Sequence, residues 1–329
     1  MSIPTTQSAL LIHENGGPEV VKFETNVPVP QISATQVLIK VKYAGVNFID
    51  TYFRKGLYPS TLPLILGREG AGEIAQVGAN VTQFKVGDRV GFVGQNAYSE
   101  YVALEESGNV IPLPDSVDFK TAAASLVQVL TAISLVKEAH PIKKGDFVLV
   151  HAAAGGTGSL VVQLAKRRGA TVIGTTSTPE KAKLAKSLGA DYVINYREED
   201  VAEKVLEYSN GHGADGVYDG VGKDTFEISL KAVARKGTLV SFGNASGAVP
   251  PVKLFDLTPK NVKLVRPSLF GYISDPAERK EYTDELFELL KDDTLVLNIY
   301  KTYDFKNGND ALIDLESGKT TGKLVVQIY

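Results

Sequence analysis

The feature that most constrains the fold is the stretch from Phe147 to Lys166, which joins an apolar strand, a turn of small residues and a helix. A dinucleotide-binding turn requires these parts in this order. Aligned with the pattern G-x-G-x-x-G, the three key positions are Ala153, Gly155 and Gly158. Gly155 lets the backbone approach a pyrophosphate and Gly158 lets the helix pack on the strand, whereas Ala153 departs from the strict pattern. The alternative is a tight strand-to-helix turn that binds no ligand.

The start of the helix after this turn is the candidate phosphate site. A helix N-terminus offers unpaired N–H groups and the positive end of its dipole to an anion. The candidate pyrophosphate contacts are therefore Ala154, Gly155, Gly156, Thr157 and Gly158.

The patterns along the chain predict two domains, as the length of 329 residues also suggests. Up to about residue 120, short β-branched runs between Gly and Pro predict a largely β, barrel-like domain, in which the glycine-dense segment Gly67 to Gly78 makes tight bends and close backbone contacts. From Asp146 to Phe242, apolar strands alternate with helices, which predicts a parallel sheet covered on both faces. We predict an α/β fold in which a Rossmann-type doubly wound parallel sheet, residues 126–266, is inserted into a β domain formed by residues 1–125 and 267–329.

The strand that follows the turn indicates which nicotinamide cofactor is bound. NAD-selective sites place an acid about 20 residues on, where it holds the ribose 2′-hydroxyl. Here the segment Thr171 to Thr178 ends in hydroxyl side chains and contains no acid. Ser177 and Thr178 can donate to a 2′-phosphate and Lys181 can neutralise it, so the sequence predicts NADPH. Lys181 could also be an ordinary solvated helix lysine.

Composition excludes several classes of function. The chain has no Cys, which rules out disulfides, thiolate nucleophiles and Cys-ligated zinc. The four His show no paired ligand spacing, and the net charge of −3 gives no broad basic field for nucleic acid or membrane. The apolar runs are short and broken, and Met1 to Gln7 lacks the layout of a signal peptide. We expect a soluble, cytoplasmic protein with no metal.

Several motifs together resemble the zeta-crystallin-like NADPH:quinone oxidoreductases, zinc-free members of the medium-chain dehydrogenase/reductase superfamily. They are spread over nearly the whole chain, in an order that agrees with the two predicted domains. The motifs are Ala44-Gly-Val-Asn-Phe-Ile-Asp-Thr-Tyr52, Gly56-Leu-Tyr-Pro59, Leu66-Gly-Arg-Glu-Gly-Ala-Gly72, Val86-Gly-Asp-Arg-Val90, His151-Ala-Ala-Ala-Gly-Gly-Thr-Gly158, Asp191-Tyr-Val-Ile-Asn-Tyr196, Tyr218-Asp-Gly-Val-Gly222, Val240-Ser-Phe-Gly-Asn-Ala-Ser-Gly247 and Arg266-Pro-Ser-Leu-Phe-Gly-Tyr272.

The resemblance implies a GroES-like catalytic domain and metal-free chemistry. Zinc-dependent alcohol dehydrogenases of the superfamily carry a ligand Cys where this chain has Ala44, and a ligand His where it has Arg68. Without zinc, the implied reaction is direct hydride transfer from NADPH to an electron-poor acceptor. A quinone fits this chemistry, and a conjugated enal or enone is the alternative acceptor.

The resemblance also implies site residues in the first domain. Asn47, Asp50 and Tyr52 would lie beside the nicotinamide, and Tyr58 near the substrate cleft. Asn47 could hold the ribose or amide of the cofactor, and a Tyr hydroxyl could donate to the acceptor oxygen. Tyr52 and Tyr58 could instead be ordinary packed aromatics, and Asp50 could serve only to organise the local backbone.

Further cofactor contacts are implied at Thr131, Tyr196, Gly243, Asn244, Phe270 and Lys323. Tyr196 would lie at the adenosine end, within reach of the 2′-phosphate. Arg68 has two interpretations, an ion pair with Glu69 or a place beside the acceptor, and we favour the ion pair.

Two kinds of partner follow from the same resemblance. A homodimer is expected through the edge strand near Leu264, since pairing would cover an exposed sheet edge. An AU-rich RNA-binding or crystallin-like role is the alternative of another class. The acidic net charge and the absence of interleaved basic and aromatic residues argue against RNA binding.

Overall fold

The computed structural model describes residues 3–291 and 295–329. Met1 and Ser2, part of the N-terminal stretch interpreted above, lie outside the described residues. The described chain forms two compact units. Unit 1 contains the residues up to Val127 and those from Ile273 onward, and unit 2 runs from Gln128 to Tyr272.

The secondary structure alternates between strands and helices along most of the chain. The strands are β1 (Thr6–Ile12), β2 (Lys22–Pro28), β3 (Gln36–Val46), β4 (Leu64–Ile65), β5 (Glu69–Val77), β6 (Arg89–Val93), β7 (Tyr101–Glu105), β8 (Val110–Pro112), β9 (Phe147–Val150), β10 (Thr171–Thr176), β11 (Tyr192–Asn195), β12 (Ala214–Asp219), β13 (Val233–Ser241), β14 (Lys263–Val265), β15 (Ile299–Asp304) and β16 (Lys323–Gln327). The helices are α1 (Phe48–Arg54), α2 (Phe119–Ser134), α3 (Gly156–Arg167), α4 (Pro179–Ser187), α5 (Val201–Tyr208), α6 (Phe226–Ala232), α7 (Leu269–Tyr272), α8 (Pro276–Lys291) and α9 (Gly308–Glu316). Short helical turns lie at Pro18–Val20, Leu135–Ala139, Leu254–Lys260 and Phe305–Asn307.

Unit 2 is built on a six-stranded sheet in the order β11-β10-β9-β12-β13-β14, in which every pair is parallel. The chain runs outward from β9 in one direction and from β12 in the other, so the strand order reverses between β9 and β12. In open α/β sheets, dinucleotides bind at the carboxyl ends of the strands beside such a reversal. The predicted doubly wound parallel sheet is confirmed.

Unit 1 is largely β, as predicted. A seven-stranded sheet has the order β15-β16-β3-β5-β6-β8, with β7 also paired to β3, and a three-stranded sheet has the order β2-β1-β4. The long strand β3 runs antiparallel to both β5 and β16, with Ala44 opposite Gly70 and Val46 opposite Leu324. The carboxyl end of β3 therefore meets the first residues of β5 and β16, and this register gathers three distant parts of the chain.

The glycine-dense segment Gly67 to Gly78 contains one continuous nine-residue strand, β5. Its glycines serve close packing, since a Cβ on Gly72 would collide with the Lys40 carbonyl of β3 and one on Gly78 with the Ser33 carbonyl. The expected close backbone contacts are confirmed. The register shift between Val41 and Tyr43 bends the pairing with β3, so the irregularity is a local one within a paired strand.

Two smaller predictions are wrong at their edges. The apolar run Val20–Glu24 predicts a strand, but β2 begins only at Lys22, because a helical turn that starts at Pro18 occupies the chain before it. The pattern of Thr225–Val233 predicts a helix, but α6 ends at Ala232 and Val233 already belongs to β13.

One apolar stretch is longer than expected. Phe119–Ala139 forms 21 residues of helix with a mean hydropathy of 1.6, so the statement that all apolar runs are short is wrong here. Of the most apolar window of this helix, 72% is buried inside the protein, as in a core helix of a globular fold. Length and composition alone are therefore weak support for a membrane span.

Candidate cofactor and acceptor sites

The turn between β9 and α3 has the backbone geometry of a phosphate-binding turn. Ala152 takes a left-handed conformation with φ +52°, and its carbonyl accepts the N–H of Gly155 at 2.8 Å. A Cβ on Gly158 would collide with this same carbonyl oxygen, whereas a Cβ on Gly155 would approach it only to 3.1 Å and is otherwise largely unobstructed. Gly158 thus allows α3 to pack against the end of β9, and Gly155 leaves one side of the turn open.

The alanine at the first motif position has a structural explanation. Ala153 is fully buried, and a Cβ built on Gly174 of the neighbouring strand β10 would lie 2.6 Å from the Ala153 methyl group. The space for the Ala153 methyl group is therefore provided by Gly174 in β10, which has no side chain. The departure from the strict pattern does not close the turn.

The first turn of α3 fits a pyrophosphate. The helix begins at Gly156 after an extended Gly155, and no side chain caps its N-terminus. The first N–H groups of a helix have no partner inside the helix, so those of Gly156, Thr157 and Gly158 can face an anion. The half-buried positions from Gly155 to Thr157 remain reachable, while Ala154 is buried. At the end of β10, the buried hydroxyl of Thr176 has no partner within the described residues.

The residues predicted to hold a 2′-phosphate lie at the ends of two adjacent strands. Ser177 and Thr178 follow β10, and Tyr196 follows β11, which pairs in parallel with β10. The pKa of Lys181 is lowered by partial burial and by the positive charge of Arg197. Two cations therefore lie close enough to repel one another, an arrangement that an anion would stabilise. The sequence reasoning missed Arg197, although its place directly after Tyr196 could have revealed it.

The hydroxyl of Thr178 also has a structural duty. Its oxygen caps α4 by accepting the N–H of Lys181 at 3.3 Å. The exposed carboxylate of Glu180 has its pKa lowered by its own backbone N–H and by Thr178. An acid thus lies one residue from Lys181, in the first helical turn and not at the strand end where NAD-selective sites place theirs.

The remaining contacts predicted in unit 2 are separate positions around the sheet. Gly243 and Asn244 follow β13, and Arg266 donates to the Gly243 carbonyl at 3.2 Å. With its amide oriented to satisfy both atoms, Asn244 accepts from Arg266 at 2.8 Å. Thr131 and Phe270 are half-buried on α2 and α7. The structure places Gly243 and Asn244 at the carboxyl edge of the parallel sheet, as expected.

A buried polar chain under the turn was missed by the sequence reasoning. His151, the residue after β9, lies 3.2 Å from the Thr175 hydroxyl and 3.0 Å from the Ser229 hydroxyl. Ser229 donates to Asp219, whose carboxylate also accepts N–H groups from the loop after β12. Burial lowers the pKa of His151, so its imidazole stays neutral. These hydrogen-bonded side chains link the ends of β9, β10 and β12 and hold the turn in place.

In unit 1, Asn47 and Lys323 join Glu69 in a buried cluster. Both charged side chains are 0% exposed, and the Lys323 ammonium donates to Glu69 and, at 2.8 Å, to the Asn47 oxygen. The Asn47 amide nitrogen donates to Glu69 at 2.7 Å, and the second Glu69 oxygen accepts the Val127 N–H at 2.6 Å. Both side-chain atoms of Asn47 are thus held, the nitrogen by Glu69 and the oxygen by Lys323, which fixes the orientation of its amide.

The favoured ion pair between Arg68 and Glu69 is wrong. Glu69 is paired with Lys323, because β5 and β16 both meet the end of β3 there. The Arg68 guanidinium instead stacks on the ring of Phe53, 3.6 Å from its centroid.

Asp50 is buried beside this cluster. One carboxylate oxygen accepts the Tyr98 hydroxyl at 2.7 Å and the Asn47 N–H at 2.9 Å, and the other is buried with no partner among the described residues. Burial raises the pKa of Asp50 to about 6, against the opposing effects of Tyr98, Asn47, Lys323 and Arg68. The Asn47 bond organises the start of α1, which agrees with a backbone-organising role.

Tyr52 and Tyr58 contact one another. Their rings meet edge to face, with centroids 5.4 Å apart, and Phe53 packs against Tyr58 in the same way. Tyr52 is buried and Tyr58 half-buried. The structure thus brings Asn47, Asp50, Tyr52 and Tyr58 onto α1 and the turn that follows it, within unit 1.

Replacing each of the two glycines of the turn by alanine is expected to lower stability in one case and nucleotide affinity in the other. Gly158→Ala should lower the free energy of unfolding on the order of 2 kcal/mol, because its Cβ collides with backbone. Gly155→Ala should cost less than about 1 kcal/mol and weaken nucleotide binding instead. Urea unfolding and cofactor fluorescence measure the two effects, and equal losses of stability would contradict the geometry.

The fold and the turn define a class. A doubly wound parallel sheet with this turn, inserted in a largely β unit, is the architecture of a nicotinamide-dependent oxidoreductase. Within residues 3–291 and 295–329, no group of three or more His, Asp or Glu side chains could hold a metal ion.

Comparisons with known proteins agree with this class. Residues 33–115 match the alcohol dehydrogenase GroES-like domain, and residues 156–291 match the family described as zinc-binding dehydrogenase. The chain is 43% identical over 315 residues to a quinone oxidoreductase of Pseudomonas aeruginosa, covering 94% of this chain and 96% of that protein. A crystal structure of Escherichia coli quinone oxidoreductase complexed with NADPH superposes with a TM-score of 0.94 at 39% identity, covering 98% of this chain and 100% of that one. A 2-haloacrylate reductase of a Burkholderia species is 37% identical over 328 residues, covering 97% and 98%.

The chain belongs to the quinone oxidoreductases, a zinc-free branch of the medium-chain dehydrogenase/reductase superfamily. The resemblance stated from the motifs is confirmed.

Proposed function

We propose that this protein is an NADPH-dependent quinone reductase that works without a metal. The observation that carries the proposal is the 43% identity, over nearly its whole length, with a quinone oxidoreductase. The site in unit 1 supports it, because it offers hydrogen-bond donors and a buried cation where metal-dependent relatives need ligands.

The residues of unit 2 would hold the cofactor. The N–H groups of the first turn of α3 bind the pyrophosphate, and Gly155 admits it to the backbone. Ser177, Lys181, Tyr196 and Arg197 take the 2′-phosphate, with Thr178 capping α4 beside them. When bound, the nicotinamide supplies the hydride.

The residues of unit 1 would position cofactor and acceptor. The Asn47 amide, held in one orientation by Glu69 and Lys323, would position the cofactor ribose. Tyr52 and Tyr58 place aromatic surface and hydroxyl groups for the acceptor, and Asp50 fixes α1 through the Asn47 N–H. Proton transfer during the hydride step is not required of any of them, since hydroquinone can take its protons from solvent.

An NADPH-dependent alkenal or enone reductase is the second candidate. The specific observation in its favour is the 2-haloacrylate reductase, whose printed substrate is an electron-poor alkene. Rates on a quinone series beside an α,β-unsaturated series distinguish the two.

NADPH preference is the direct test of the cofactor proposal. We expect NADPH to bind at least about tenfold more tightly than NADH, and Lys181→Ala to remove about 1.4 kcal/mol or more of that preference. Arg197→Gln should remove a similar part, because both cations face the same anion. Lys183→Ala, an exposed lysine of the same helix, is the control and should leave the ratio unchanged. Equal affinities of wild type for both nucleotides would remove the assignment.

We also propose a cytoplasmic homodimer. The short strand β14 forms one edge of the unit 2 sheet, and Leu254 and Phe255, in the helical turn before it, are 81% and 86% exposed. Exposed apolar side chains beside an open sheet edge are typical of a surface that a second copy covers.

A further inference from the structure

Arg68 carries a charge that the proposed reaction has not used. Its side chain belongs to a residue only 7% exposed, yet it makes no hydrogen bond or ion pair within the part of the chain that the structure describes. Its side-chain nitrogens are not completely buried, so they still reach solvent. A guanidinium has five N–H donors, and burying them unsatisfied is costly.

Arg54 in the same unit shows the usual arrangement. It is fully buried, and its guanidinium donates to Glu316 at 2.7 Å and to the Gly16 carbonyl at 3.3 Å, so that within the described residues only its Nη1 has no partner. Arg68 has the ring of Phe53 against one face, and among the described residues no acceptor meets its donor edge. The stacking holds the guanidinium plane, which leaves its donors ready for a ligand.

Within the described residues, no acid forms an ion pair with Arg68. Glu69, its neighbour in sequence, is neutralised by Lys323. Asp50 is the acid whose charge acts on Arg68, but the two form no ion pair, and the Tyr98 hydroxyl and the Asn47 N–H occupy the oxygen of Asp50 that is hydrogen-bonded. A cation in this setting attracts an anion that can meet its donor edge.

We propose that Arg68 binds a carboxylate of the acceptor, so that alkenes conjugated to a carboxylate are accepted beside quinones. This role rests on the proposed function, since it names a further acceptor class of the same reductase. A planar carboxylate can accept two parallel hydrogen bonds from one guanidinium.

The reaction gives the same residue a second reason to be cationic. A hydride with its electron pair adds to the β-carbon, and the π pair of the alkene moves toward the carboxylate oxygens. A proton from solvent then completes the α-carbon, while the nicotinamide is oxidised by two electrons. Negative charge therefore grows on the group that Arg68 holds, which is where a fixed cation accelerates the step.

Binding tests the site without turnover. Benzoate and benzamide are planar probes of similar shape that differ in charge, and calorimetry on the full chain with and without NADP⁺ measures both. We expect wild type to bind benzoate at least about tenfold more tightly than benzamide, Arg68→Gln to abolish the difference, and Arg68→Lys to keep part of it. Arg89→Gln is the matched control, because Arg89 also stacks on a Phe ring but donates to the backbone carbonyls of Pro114 and Val117. Equal binding of the two probes by wild type would overturn the proposal.

Selectivity in turnover separates this proposal from the proposed function. The ratio of kcat/KM for 2-chloroacrylate to that for its methyl ester should fall at least about tenfold in Arg68→Gln. An unchanged ratio, with quinone reduction by wild type intact, overturns the Arg68 role and leaves the quinone reductase standing. Arg68-dependent benzoate binding without NADPH oxidation by any acceptor supports the anion site and removes the proposed function.

Discussion

Replacing Lys323 by Met is expected to lower the free energy of unfolding by about 3–5 kcal/mol, because it leaves the buried Glu69 carboxylate without its cation. Glu69 would keep only the Asn47 amide and the Val127 N–H as partners. Two such bonds do not replace a charge partner when neither side chain reaches solvent. Urea unfolding followed by circular dichroism measures the loss.

A second substitution tests whether the loss of stability comes from breaking the pair of Lys323 and Glu69. Lys323→Met combined with Glu69→Gln removes both charges and should recover most of the stability, since a buried pair adds little over neutral groups of similar volume. Lys280→Met is the control, because Lys280 and Asp284 form an exposed pair on α8 worth less than about 0.5 kcal/mol. A single variant that loses no more than this control would show that Glu69 is not held as described.

Asp50→Asn is expected to become more stable relative to wild type as the pH rises, by about 2.5 kcal/mol between pH 4 and pH 7.5. Burial raises the pKa of Asp50 from 3.8 to about 6, so the folded protein holds this proton more tightly than the unfolded chain. The stability that protonated Asp50 contributes is therefore complete below about pH 3.8 and lost as the pH rises through about 6. Asn is neutral throughout, and its oxygen can still accept from Tyr98 and Asn47. Unfolding curves of both proteins at several pH values measure the difference.

Asp118→Asn provides a control of opposite sign. Partial burial acts to raise the pKa of Asp118, but hydrogen bonds from Thr121 outweigh it and lower the pKa. Its stabilising effect is present above the unfolded pKa, so this variant should lose against wild type as the pH rises. A pH-independent difference for Asp50→Asn would mean that Asp50 stays ionised in the fold.

Both predictions concern the meeting point of β3, β5 and β16 in unit 1. Lys323 neutralises Glu69 there, and the pair gives Asn47 a fixed orientation. The Arg68 guanidinium has no ion-pair partner among the described residues and keeps an open donor edge. The same cluster thus supports the proposed positions of cofactor and acceptor and sets part of the stability of the fold.

Local patterns determined much of unit 2. The apolar run Phe147–Val150 predicts a strand and the pattern of Val201–Tyr208 predicts a helix, and both elements have these bounds in the structure. The turn with Gly155 and Gly158 was found in the same way, since a strand, a turn and a helix are specified by residues adjacent in sequence. The motifs then gave the family and, through it, the candidate residues of unit 1.

The partners of those residues were decided by the tertiary structure alone. Lys323 and Glu69 are 254 positions apart, and they meet only because β3 pairs with both of their strands. The same holds for the contact between Gly174 and Ala153, and for the hydrogen bonds that connect Asp219 to Thr175 under the turn. A charged residue in a sequence shows that it needs a partner but not which one, because burial and strand register select the partner. The favoured Arg68–Glu69 pair failed for that reason: β5 begins at Glu69, and the register of β3 with β5 and β16 brings Lys323 to that carboxylate.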